Sequence, residues 1–189
     1  MNSRSTTFTK TTFALLAVLV VIGRAYDVIT TYLYTPDLKN ETNILVVFFG
    51  ANWTSVIIIQ SLLVMLIIYL LYYYNFRFKP DYPQNRNLGI KQFASYLYFN
   101  DTGSFGKLFY QIPKNKNSLL ASTGYIASMT LLAVSFVVGT STTLLLLSDS
   151  YKQLYRNGIQ ILLFVLIGIF AIWFSINFFR IEYKKYRQG

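Results

Sequence analysis

Four apolar runs dominate this chain, and each is long enough to cross a membrane. A hydrocarbon core of about 30 Å needs about 20 apolar residues in helical form. The runs extend from about Thr11 to Tyr34, Trp53 to Tyr74, Leu119 to Leu147 and Ile159 to Phe179. The third covers 29 residues, which predicts a helix that tilts or protrudes. In lipid the backbone must satisfy its own hydrogen bonds, so runs of this length fold as helices. The predicted fold class is an all-α integral membrane protein with four transmembrane helices. The first run is too long for a cleavable signal peptide, and no A-x-A site follows it.

Composition narrows the function classes. Charged residues make up 13% of the chain, against about 25% in soluble domains. There is no Cys and no His. That removes disulfides, thiol nucleophiles, imidazole proton relays, the usual zinc sites and the Ser/His/Asp triad. No phosphate loop, dinucleotide fingerprint or suitably spaced pair of carboxylates appears. No catalytic residue, metal site or cofactor is therefore expected. The net charge of +10 fits basic residues gathered on the cytoplasmic side of a membrane better than a nucleic-acid surface, so no nucleic-acid partner is expected.

The seventeen Lys and Arg residues set the orientation. The N-terminal tail carries Arg4 and Lys10. The long loop between runs two and three carries Arg77, Lys79, Arg86, Lys91, Lys107, Lys114 and Lys116. The C-terminal tail carries Arg180, Lys184, Lys185 and Arg187. These thirteen face only Lys39, Lys152 and Arg156 in the two short loops. Both termini and the long loop are predicted to be cytoplasmic, in the inner membrane of a cell. The expected partners are the bilayer, anionic lipid at the basic face, and either a second copy or another protein.

Three units follow: residues 1–74 as a first helical hairpin, 75–117 as a cytoplasmic loop, and 118–189 as a second hairpin with a basic tail. Within the loop, Ile90, Phe93, Ala94 and Leu97 recur at helical spacing. This predicts a short amphipathic helix, about Ile90 to Phe99, lying on the membrane surface.

The hairpins resemble one another. Leu15 to Gly23 matches Leu131 to Gly139 at six of nine positions, and Gln60 to Ile67 matches Gln160 to Ile167 at five of eight. A tandem duplication would relate the halves by an axis along the membrane normal. Gln60 and Gln160 are candidates for hydrogen bonds across the bundle, and Gly139 and Gly168 for close helix contacts.

Arg24 and Asp27 interrupt the first run. They are i, i+3 neighbours and share a helix face, with Asp27 roughly 25 Å beyond Lys10 at ~1.5 Å per residue. A charge near a bilayer centre costs at least about 2.5–3.5 kcal/mol. Two readings compete: an ion pair that fixes how the first helix packs, or a polar site opening outward. The second would draw on Arg24, Asp27, Thr31, Glu41 and Asn43. The alignment of the halves puts this charged turn in the first hairpin only, as an added feature.

The stretch from Gly23 to Trp53 resembles small bacterial multi-span membrane proteins whose first span ends in D-x-x-T-T, followed by P-x-L-x-x-E-x-N-P and a second span. Arg24, Asp27, Thr30, Thr31, Pro36, Leu38, Glu41 and Asn43 carry the resemblance, and Ile44 departs from it where those proteins have Pro. It covers about 30 of 189 residues. It implies a bacterial cell membrane and a four-helix fold, and no activity. The expected function is a non-catalytic polytopic subunit that self-assembles or docks a partner. A small channel or transporter using the Arg24–Asp27 site, and an intramembrane enzyme using Asp27 and Glu41, stand as alternatives.

Overall fold

The computed structural model describes residues 9–38, 50–103 and 105–188. Helix α1 is Lys10–Tyr34 and α2 is Trp53–Tyr72, continued by a wide turn, Tyr73–Arg77. A short helix α3, Ile90–Phe99, and a single tight turn, Phe105–Phe109, lead to α4, Lys116–Leu147. The short α5, Asp149–Leu154, passes through a wide turn, Tyr155–Ile159, into α6, Gln160–Gln188. No strand occurs among the described residues. Four helical stretches are long and apolar enough to cross a membrane: Lys10–Tyr34, Trp53–Arg77, Lys116–Leu147 and Asp149–Gln188.

The helix starts are written in the sequence. Thr9, Asn52, Asn115 and Ser148 each accept a backbone N–H from three residues ahead, the bond an N-cap supplies. Asn100 ends α3 in the left-handed region, φ 55°. Gly158, at φ 116°, lets the chain turn between α5 and α6.

Contacts along the helices fix their directions. Phe13 meets Phe76 at one end of the α1–α2 pair, with rings 5.3 Å apart, and Tyr32 meets Trp53 at the other, 5.2 Å apart. Those two helices are antiparallel. Ser128 and Gly124 of α4 meet Ile67 and Leu70 of α2, and Tyr125 meets Asn177 and Phe178 of α6. The order is up, down, up, down. Lys10, residues 78–115 and Gln188 share one end of the bundle.

Helix α4 is the hub. It packs along α1, α2 and α6, whereas α1 and α2 touch each other far less. Its buried positions explain this: apart from Tyr125 and Leu145 they are Ser, Thr, Ala or Gly. Small residues let backbones approach, which is the main source of contact between helices that have no hydrophobic effect to join them. A Cβ added at Gly124 would stand 2.2 Å from the carbonyl oxygen of Leu70. One added at Gly139 would stand 2.6 Å from the ring of Tyr26, and one at Gly23 would stand 3.1 Å from the ring of Phe136. Gly139 is thus the close contact expected. Gly168 is not: nothing lies within 4 Å of the space a side chain would take there. It sits on the open side of α6, among exposed apolar residues such as Phe164, Ile169 and Ile172.

The C-terminal segment differs from a basic tail. Helix α6 runs to Gln188, and Phe178, Glu182 and Tyr186, four residues apart, form a buried stripe along it. The residues from 78 onward fold back on this stripe. Helix α3 has the predicted bounds, but its apolar face does not lie on a bilayer. Phe93 and Leu97 are 0% and 1% exposed, and Phe93 stacks on Tyr186 with rings 5.0 Å apart. The extended α6 supplies a protein surface that the tail, read only by its charge, did not offer. Residues 78–115 and the end of α6 are one packed unit, not a loop and a tail.

Candidate functional site

The charged turn of α1 is satisfied from two sides. Val20, Gly23, Asp27 and Thr30 are the buried residues of α1, a stripe at i, i+3 and i+4 spacing turned toward α4. Asp27 is 6% exposed. Arg24 lies beside this stripe, toward α2. Its Nη1 pairs with Asp27 Oδ2, and its Nε donates to Gln60 Oε1 at 3.1 Å. Gln60 sits opposite Arg24 because α1 and α2 are antiparallel. The pairing leaves the charges neutral together and ties three side chains of two helices.

Beside Arg24 a groove of about 430 Å³ runs between α1 and α2, lined by Val21, Ala25, Val28, Ile57, Ser61 and Val64 among others. Its walls are aliphatic, and Arg24 and Gln60 are its strongest polar groups. It exists because α1 and α2 pack mainly on α4.

Thr31 does not join this group. It lines a separate cavity of about 450 Å³ near the Trp53 end, together with Tyr34, Thr35, Thr142, Arg156 and Gln160. Gln160, the first residue of α6, lines this cavity with Thr31, whereas Gln60 makes its bond between helices with Arg24 of α1. Glu41 and Asn43 lie outside the described residues. No group of three or more His, Cys, Asp or Glu that could hold a metal occurs among the described residues.

A second polar centre, absent from the expectations, sits at the other end. The Glu182 side chain is 0% exposed. Its Oε1 accepts from Tyr74 Oη at 2.9 Å and from Lys185 Nζ at 2.6 Å. Its Oε2 accepts from Tyr82 Oη at 3.0 Å. Lys185 also lies over the Tyr74 ring, 5.2 Å from its centroid. The Tyr82 hydroxyl is held well above its ordinary range, first by burial, then by the charge of Glu182 and the bond to it. It therefore keeps its proton and its role as donor. Further bonds close the unit: Tyr183 Oη donates to Leu88 O at 3.0 Å, Tyr186 Oη to Asn85 O, and Arg187 Nη1 to Arg86 O at 2.8 Å. The signal was present. Glu182 is the lone acid among Arg180, Lys184, Lys185 and Arg187, in phase with Phe178 and Tyr186.

Compared with known proteins, the chain matches no family model, no curated protein and no solved structure.

Proposed function

We propose that the chain is a non-catalytic subunit of a bacterial inner membrane, crossing it four times with both termini and residues 78–115 in the cytoplasm, and that it assembles with a second copy or a partner protein. The observation that carries this is the α1–α2 groove. It is lateral and aliphatic, it lies midway along two apolar helices, and its one charged lining residue, Arg24, is already paired with Asp27. A groove of that kind suits an apolar helix better than a hydrophilic solute. The basic residues at the end shared by Lys10 and Gln188 support the orientation. We read the hairpins as a tandem duplication, supported by the parallel run of α1 and α4 and by Gly23 and Gly139 both receiving a ring from the other helix.

The test fills the groove. Native mass in mild detergent is expected to exceed the 21.8 kDa of one chain, and Ser61→Trp is expected to return it to one chain without unfolding. A single-chain mass for the unaltered protein taken from its own membrane sinks the reading. The second reading is a small channel or transporter. The Thr31–Arg156–Gln160 cavity favours it, and loss of solute flux in Arg156→Gln with assembly intact would select it. An intramembrane enzyme draws least support, because Asp27 is committed to Arg24.

A further inference from the structure

We infer that residues 105–112 form a membrane-interface anchor that inserts aromatic and aliphatic side chains among anionic headgroups at the basic end of the bundle. This rests on the reading that the four long helices cross a bilayer. The segment is an excursion with a pinned base. Asn115 N donates to Tyr98 O at 3.0 Å, so the start of α4 is tied to the end of α3. The Ser95 hydroxyl holds Asp101 O at 2.5 Å. Between these points the Phe105–Phe109 turn rests against α3 and the residues after it turn outward, with Gln111 N donating to Lys107 O at 2.8 Å and Phe105 against Phe109, rings 5.9 Å apart.

At its tip Phe109, Tyr110 and Ile112 are 81%, 79% and 79% exposed. Among the other described residues from 78 to 115, Phe93, Leu97, Tyr98 and Phe99 are buried and Ile90 is 39% exposed. Three large, exposed, mostly apolar side chains within four residues are unfavourable in water, and a group of this kind marks an interaction surface. Two facts select lipid as the occupant. Ile112 is four residues from Lys116, where a helix long and apolar enough to cross a membrane begins, so the tip is held near the level at which α4 enters the bilayer. Lys107, Lys114 and Lys116 flank the tip, and Lys91 lies 5.8 Å from the Phe105 ring centroid. Lysines around aromatic and aliphatic residues suit an anionic leaflet surface. The role that the sequence suggests for α3 thus falls to the next segment, because α3 spends its apolar face on α6.

The chain has no cysteine, so single-cysteine variants need no background removal. Phe109→Cys and Ile112→Cys are each labelled with an environment-sensitive fluorophore and reconstituted in vesicles of zwitterionic lipid, with or without one-third anionic lipid. Asp101→Cys serves as a water-facing control and Leu63→Cys as a lipid-facing one. The expected result is quenching at 109 and 112 by spin-labelled lipid, at least threefold stronger than at 101, and protection from aqueous iodide. The effect should grow with anionic lipid and shrink when Lys107, Lys114 and Lys116 become Gln. Iodide access at 109 and 112 while Leu63→Cys is quenched by lipid overturns the anchor alone. Shielding from both quenchers means that protein covers the patch, and also overturns it. Absence of lipid quenching at Leu63→Cys as well means that the membrane-spanning reading has failed first.

Discussion

Asp27 and Glu182 are two buried carboxylates with the same local arrangement and different surroundings. Each pairs with a cation three residues away, Arg24 before Asp27 and Lys185 after Glu182. At the first pair, Arg24 also donates to Gln60 and borders a groove with aliphatic walls. Around Glu182 the donors are two tyrosines, one at the end of α2 and one in the segment that follows it. The first centre joins two helices midway along their length. The second joins the end of α2, the chain beyond it and the end of α6. A buried ion pair adds little net stability over an apolar contact, but removing one partner leaves a charge uncompensated. The two sites should therefore differ in what comes apart when the carboxylate is lost.

The largest effect is expected at Glu182. Glu182→Ala removes the carboxylate that Tyr74, Tyr82 and Lys185 all donate to, a loss of about 3–5 kcal/mol by analogy with broken buried pairs. Protease cleavage between residues 78 and 115 should rise sharply while the four long helices persist by circular dichroism. Cleavage unchanged from the parent would remove Glu182 from its role as the tie.

At the other centre the damage should be smaller, because the Arg24 side chain is 17% exposed. Asp27→Asn and Arg24→Gln should each lower stability by about 2 kcal/mol, and the double variant should recover part of that loss. Thermal melts in detergent measure all three. Strictly additive effects would mean that the pair is not coupled.

Tyr82→Phe sharpens the comparison by taking one donor from Glu182 and leaving the carboxylate in place. A loss of about 1–2 kcal/mol is expected, with partial opening of the 78–115 segment in hydrogen exchange.

The smallest effect is on alkaline stability. Burial raises the Tyr82 hydroxyl and pushes that of Tyr98 up to about 12, the latter partly offset by a bond with Ser122. In an unfolded chain tyrosine titrates near about 10. The folded state thus favours the protonated form, so this contribution is complete below pH ~10 and is lost as pH rises through the folded values. Melting temperature should be flat from pH 7 to 9 and fall above pH ~10, less steeply in the Tyr82→Phe, Tyr98→Phe double variant. An identical alkaline slope in that variant would assign the fall to other groups.

The four long helices and the bounds of α3 were legible because hydrophobic length and period are local properties. The Arg24–Asp27 pair was legible for the same reason, being i, i+3. Gln60 as its partner depended on the antiparallel register of α1 and α2, which no local pattern fixes. Gly168 is not a close contact because it lies on the face of α6 turned away from α4, and a glycine in an apolar run does not reveal which face it occupies. The Glu182 centre was hidden by counting charges in the last ten residues without asking which helix face each one occupied. Once Phe178, Glu182 and Tyr186 are placed on one stripe, a buried acid beside aromatic rings follows.

The central position of α4 has a consequence for how the protein is made. Synthesis delivers helices in order, and early units generally begin to form first. Helices α1 and α2 therefore emerge before the helix that holds them both. Until Gly124 and Gly139 arrive, the first pair is joined by aromatic contacts at its ends and, between them, by the Arg24–Gln60 bond. The polar contact that ties α1 to α2 in the finished bundle would, during this interval, favour the register that the pair later keeps.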